Sequence, residues 1–267
     1  MKKYFSFFRL RFSMGLQYRT AALAGIITQF AWGLMEILVF RAFYAADPEA
    51  FPMTFAATVS YIWMQQAFLA LFAPWMLEFE LFANIMDGNI AYELCRPINL
   101  YDMWLSRSVA NRLSRAVLRC FPILIVAVFI PAPYGLCPPA SLLHFLVFLF
   151  TLVMGLLVTA AFCMIVYGLS FFTLSPSGIR MVFTSGVELL SGAVIPLPFF
   201  PTGIRRILEG LPFAAMQNVP LRIYSGDITG TEMKQAVLLQ IFWLVVLVVI
   251  GRKLFANAEQ KVTVQGG

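Results

Sequence analysis

The sequence predicts an all-α polytopic membrane protein, folded as a single domain over 1–267. Its expected parts are six transmembrane helices, an N-terminal interfacial helix, a cytoplasmic helical segment after span 2, and short re-entrant or outer helices between spans 5 and 6. Three observations lead there. The 267 residues are 61% hydrophobic and 12% charged, where soluble domains carry about 25% charge. The 60 residues from Cys120 to Ile179 contain no Asp, Glu, Lys or Arg, and one span takes about 20 apolar residues. The remaining Lys and Arg cluster in blocks between apolar stretches, as they do on the cytoplasmic flanks of membrane helices.

Residues 1–20 mix aromatic and basic side chains. Phe5, Phe8, Phe12 and Leu16 recur at helical spacing with Lys2 and Arg9 off that stripe, the pattern of a helix lying on the inner membrane surface. The early basic residues leave no apolar core for a cleavable signal, so the first span is expected to stay in place as the insertion signal. Span 1 covers 21–44, and Asp47-Pro48-Glu49 marks a short outer loop. Span 2 covers 55–77. A polar island then runs from Glu78 to Arg119. Span 3 covers 116–130 and closes at the Pro131–Gly135 turn. Pro138-Pro139 opens span 4, 142–172, which is long enough to tilt or extend into the cytoplasm. Ser175-Pro176-Ser177-Gly178 reads as a tight inner turn. Span 5 covers 181–195 and span 6 covers 236–250, followed by a short basic tail. Between them, 196–234 is too apolar for a free loop and too broken by proline for a span. Short re-entrant or interfacial helices suit it.

With both termini inside, 14 Lys and Arg fall on the inner side and 5 on the outer side. That asymmetry orients the chain. The outer cations cluster in 199–234, which suggests that this segment is structured. The net charge of +6 belongs to membrane flanks rather than to nucleic acid. Four cysteines without CxxC spacing, Cys95 facing the cytoplasm, argue against a disulfide framework.

Catalytic chemistry finds no footing. No G-x-x-x-x-G-K-[ST] is present to cradle nucleotide phosphates. His144 is the sole histidine, which rules out HExxH and leaves it as an interfacial or packed side chain. Two acids fall within spans, Glu36 in the outer half of span 1 and Glu188 near the middle of span 5. A carboxylate at that depth costs several kcal/mol and usually faces a cavity, a partner helix or a charge. Both are candidates for a substrate path, and a polar contact such as Glu36 with Arg41 is the plainer alternative. The basic row Arg107, Arg112, Arg115 and Arg119 reads first as lipid-headgroup anchoring, with acidic partner residues as the alternative. Trp32, Trp63 and Trp75 serve equally as interfacial anchors or substrate contacts. In the island, Gly88 can end one short helix and Pro97 another. Residues 89–95 then make about two turns, with Ile90 and Leu94 on one face and Tyr92 and Glu93 elsewhere.

The order of these parts resembles the permease subunits of ABC-2 type transporters, in particular small bacterial six-span exporter permeases. Gly88-Asn89-Ile90-Ala91-Tyr92-Glu93-Leu94-Cys95-Arg96-Pro97 is similar to the family's G-x-(I/L)-x-x-x-L-x-x-P segment. Ile195–Pro201 and Leu211-Pro212-Phe213 look like the subgroup's segments before the last span. The resemblance covers essentially the whole chain. It implies a coupling helix within 83–103 that seats in a groove of a separate ABC ATPase subunit. On this chain the matching residues are Gly88, Asn89, Ile90, Tyr92, Glu93, Leu94, Arg96 and Pro97. It implies no cofactor on this chain, ATP and Mg on the partner ATPase, and pairing with a second permease copy or a paralogue. The expected activity is export of a hydrophobic or amphipathic molecule, cationic or drug-like ones among them, across a bacterial inner membrane. The rivals are an ATPase-independent secondary transporter or channel and, more remotely, an intramembrane enzyme. The lack of an internal repeat and the presence of only two intramembrane acids weigh against a secondary transporter.

Overall fold

The computed structural model describes residues 2–47, 51–173 and 176–261, and among these every regular element is helical. Four helices are long and apolar enough to cross a membrane: α2 (Arg19–Ala46), α3 (Phe55–Phe72), α7 (Leu142–Ser170) and α11 (Gly230–Lys261). Between them lie α4 (Phe79–Met86), α5 (Ile90–Leu94), α6 (Leu100–Phe129), α8 (Pro176–Leu190), α9 (Thr202–Gly210) and α10 (Asn218–Tyr224), with α1 (Lys2–Gly15) in front. Pro48 and Glu49 of the expected outer loop, and Ser175 of the expected inner turn, lie outside the described residues.

Local chemistry sets the helix ends. Three helices open on capping side chains: Thr54 Oγ1 accepts from the Ala57 N–H, Asn99 Oδ1 from Asp102, and Ser141 Oγ from His144. Three stop where a proline follows, because the residue before proline is pushed out of the helical region. Ala73 precedes Pro74, Ile130 precedes Pro131 and Leu211 precedes Pro212, and all three are extended. This moves several expected boundaries. α3 stops at Phe72 rather than 77. α8 stops at Leu190 rather than 195. α6 starts at Leu100, so most of the second half of the polar island is the first half of one 30-residue helix.

α3 is the most enclosed of the four apolar helices, buried from Thr58 through Ala67 and packed by α2, α6, α7 and α10. α7 packs chiefly on α11. The insert before α11 is only partly at the surface. α9 carries one buried residue, Leu208, whereas all seven residues of α10 are buried against α7 and α3. At Gly155 of α7 an added Cβ would lie 2.1 Å from the Met216 carbonyl oxygen, so the chain entering α10 runs directly over α7. α10 is thus packed inside the bundle, while α9 remains superficial.

The N-terminal helix also differs from expectation. Rather than resting only on the membrane, α1 packs along α6, turning Tyr4, Phe7, Phe8, Arg11 and Phe12 towards the protein. Phe5 of the apolar stripe does not join this contact and is 69% exposed.

Candidate functional site: a braced knuckle at one end of the bundle

Where α3 ends, the chain runs out of helix and its last carbonyls lose their intrahelical donors. Arg112 of α6 supplies them. Its Nη1 donates to the Ala73 carbonyl at 2.7 Å and the Leu71 carbonyl at 3.3 Å, and its Nη2 donates to Met76 O at 3.4 Å. Nη2 also reaches Cys163 Sγ on α7 at 3.1 Å. The side chain is a fixed positive charge at the negative end of a helix dipole, and Arg112 is 2% exposed.

One turn earlier on α6, Arg107 bonds both Glu78 and Glu80. Arg107 holds the Glu80 carboxyl below the ordinary carboxylate range, through its hydrogen bond and its charge, against a smaller desolvation effect. The Glu78 N–H donates to Tyr167 Oη on α7 at 2.6 Å. Two arginines of α6 therefore fix the segment joining α3 to α4. Both are bonded within the protein, where the sequence reading puts lipid headgroups first.

α4 buries Leu81 and Phe82, and the Phe82 ring packs tilted against Tyr167 with centroids 5.0 Å apart. The chain then turns at Gly88, whose φ of 73° is readily adopted only by glycine. Nothing lies within 4 Å of a Cβ built there, so backbone conformation alone requires the residue. α5 follows with Ile90 2% exposed and Leu94 partly buried against the same core. Glu93 turns inward, where its carboxylate accepts from Trp104 Nε1 at 2.5 Å and Asn84 Nδ2 at 3.3 Å. Trp104 joins an aromatic cluster with Tyr167, Phe171 and Phe255, each within 6.0 Å between centroids. The far end is pinned by α1: Lys3 Nζ donates to Pro97 O at 2.5 Å, and the Asn99 N–H donates to Tyr4 Oη at 3.2 Å.

The named residues thus divide. Gly88, Asn89, Tyr92, Arg96 and Pro97 are exposed, with Tyr92 the most prominent at 75%. Ile90, Glu93 and Leu94 face the bundle and support the others. The result is an exposed tip on a frame of α4, α6, α7 and α11. Sequence reasoning missed Trp104 and Tyr167, and it named Arg107 and Arg112 only as members of a basic row. A signal existed for one of them, since Glu78 and Glu80 open the island and need a cation.

The two intramembrane acids are not brought together by any ion pair or hydrogen bond among the described residues. Glu36 accepts from Gln66 Nε2 of α3 at 3.3 Å. Arg41 instead lies over the Tyr134 ring, so the Glu36–Arg41 contact does not form. Glu188 is half-buried in the last turn of α8, not in the middle of a helix, because α8 ends two residues later. Gln65 Nε2 donates to the Ala193 carbonyl at 2.7 Å, tying α3 to the turn after α8. Gln66 thus reaches Glu36 and Gln65 the turn after α8, a pair the sequence reading overlooked. At the other end of the bundle, Arg222 pairs with Glu209 and Asp227, and Arg205 also pairs with Glu209. Two of the outer-side cations are thereby neutralised. His144 Nδ1 hydrogen-bonds Ser141 Oγ at 2.8 Å beside the α7 cap. No group of His, Cys, Asp and Glu suited to a metal occurs among the described residues.

Four long apolar helices beside a braced, exposed polar knuckle mark a polytopic membrane protein. The chain belongs to the ABC-2 family: the model of the ABC-2 family transporter protein matches residues 30–266. A search of curated proteins finds no match.

Proposed function

We propose that the chain is the permease subunit of an ATP-driven ABC-2 exporter in a bacterial inner membrane. In this reading α2, α3, α6, α7, α8 and α11 are the six spans, and both termini are cytoplasmic. A separate ABC ATPase carries ATP and Mg. A second copy or a paralogue completes the transmembrane dimer, and a hydrophobic or amphipathic molecule leaves the cytoplasm. The observation that carries this reading is the knuckle itself. Its tip is exposed and polar, yet Arg107 and Arg112 of α6 bond its base and the end of α3. A push on Tyr92 would travel as a rigid displacement into two spans rather than dissipate in a loop. Glu36, Glu188, Gln65 and Gln66 lie along α3 and its neighbours, where they would offer hydrogen bonds to a polar or cationic group of the cargo.

The test is co-purification with a P-loop ATPase, followed by ATPase and transport assays in vesicles. Gly88→Ala adds no steric contact but strains the backbone by roughly 1–2 kcal/mol. It is expected to lower transport-coupled ATP hydrolysis several-fold while membrane insertion stays intact. Tyr92→Ala, at an exposed tip, should do the same by weakening ATPase association. Normal coupling in both variants would sink the reading, as would transport without any ATPase.

A further inference from the structure

A cleft of about 490 Å³ opens between α1, the first turns of α2 and the middle of α6. Its wall includes Arg11, Tyr18, Arg107, Asn111, Arg115 and Arg119, with Met14, Ala21, Ala22 and Leu118 as apolar lining. The cations are not equivalent. Arg107 is committed to Glu78 and Glu80, which are the acids of the cleft. Arg11, Arg115 and Arg119 make no ion pair among the described residues. Arg119 Nε is buried and lacks a hydrogen-bond partner. A buried, unpaired guanidinium donor costs free energy unless something accepts from it. The guanidinium lies flat against Gly25 of α2, where an added Cβ would come within 2.6 Å of its Cζ, so it cannot swing away through that helix.

The depth and surroundings of the cleft name its occupant. Gly25 is 21 residues from Ala46 at the far end of α2, about 31 Å of helix. The cleft therefore sits at the rim of a hydrocarbon layer about 30 Å thick. Directly beyond it, Leu23 and Ile27 of α2 and Phe121 and Ile125 of α6 are each more than half exposed, an apolar track leading away from the three arginines. Three uncommitted cations at a headgroup level, continuous with a bare apolar track, match a phosphate carried on acyl chains. A zwitterionic headgroup would bring its own ammonium into a site already positive. We infer that this cleft binds an anionic phospholipid, its phosphate between Arg11, Arg115 and Arg119 and its chains along α2 and α6. The site borders the base of the knuckle through Arg107, Glu78 and Glu80 but needs no ATPase.

The experiment uses the full chain in neutral detergent, with native mass spectrometry and thermal unfolding as readouts. The probes are phosphatidylglycerol, phosphatidylcholine of the same chain length, and inorganic phosphate. Phosphatidylglycerol should be retained and should raise the unfolding temperature, and the other two should do neither. Equal retention of phosphatidylcholine would overturn the proposal. An equal thermal shift from inorganic phosphate would assign the cleft to a free anion and overturn it as well. At about 1 kcal/mol per arginine near a lipid headgroup, Arg115→Gln should weaken phosphatidylglycerol binding about five-fold, and Arg115→Gln with Arg119→Gln about thirty-fold. Arg206→Gln, on exposed α9, should leave it unchanged. Arg115 is exposed, so its single variant keeps the fold, and unchanged affinity in that variant would also refute the site.

Discussion

At the scale of single residues, the arginines of α6 show that one residue type on one helix can serve different ends. Their spacing reads as a basic row along an amphipathic helix, and a sequence gives no means of separating them. Position in the bundle does. Arg107 and Arg112 point into protein, one to two carboxylates and the other to three carbonyls and a sulfur. Arg115 is exposed and Arg119 half-buried. Arginine suits Arg112's place because its planar fork reaches several acceptors at once, where lysine is a single point. Removing it leaves buried carbonyls of α3 without donors, at about 1–3 kcal/mol for each unsatisfied group. Arg112→Ala is therefore expected to be among the most damaging substitutions outside the knuckle tip. Its midpoint in detergent thermal unfolding should fall by several degrees, with Arg112→Lys recovering only part. A midpoint equal to that of the unaltered protein would show that water replaces the guanidinium there.

At the scale of elements, proline placed the boundaries and glycine placed the crossings. The ends of α3, α6 and α9 were readable in principle, since each precedes a proline. The expected spans nevertheless overran at 77 and 195, because apolar residues continue past the point where the backbone turns. The burial of α10 was not readable. Its sequence is short, broken by Pro220 and carries Arg222, the marks of a surface turn. Inside the bundle, Arg222 is neutralised by Glu209 and Asp227, so the charge is buried as a cluster rather than alone. Gly155 makes this docking possible. Gly155→Ala would set a methyl 2.1 Å from a backbone oxygen, and neither α7 nor the 213–217 turn can yield as a flexible side chain would. Overpacking of this kind costs typically 1–3 kcal/mol. The variant should insert but expose the α9–α10 insert to limited proteolysis. By contrast Gly186→Ala on α8, where nothing lies within 4 Å, should resist protease like the parent. Equal protease resistance in the two variants would remove Gly155 from this role.

At the scale of the whole molecule, the membrane class was plain from composition, and the number of crossings turns on α6 and α8. α6 is 30 residues long, about 45 Å of helix, yet its arginines keep it from registering as an apolar span. Those arginines occupy its first two-thirds, and the rest, from Cys120 to Phe129, is uncharged. α1 and the knuckle sit at the first end of α6. At its other end, Leu136 folds back to donate to the Ala127 carbonyl, and Trp63 of α3 donates to the Tyr134 carbonyl. Such a helix crosses if its arginines are satisfied by protein and headgroups, as the ion pairs and the lipid cleft provide. The crossing has a direct test, because Cys95 is a free, exposed thiol at the knuckle and Ala140 is exposed beyond the far end of α6. A membrane-impermeant maleimide should modify Cys95 in inverted vesicles and not in right-side-out cells. With Cys95→Ser in place, A140C should show the reverse. Modification of both from one side would mean that α6 does not cross. Modification of Cys95 from outside would invert the proposed orientation, leaving the knuckle where no cytoplasmic ATPase could reach it.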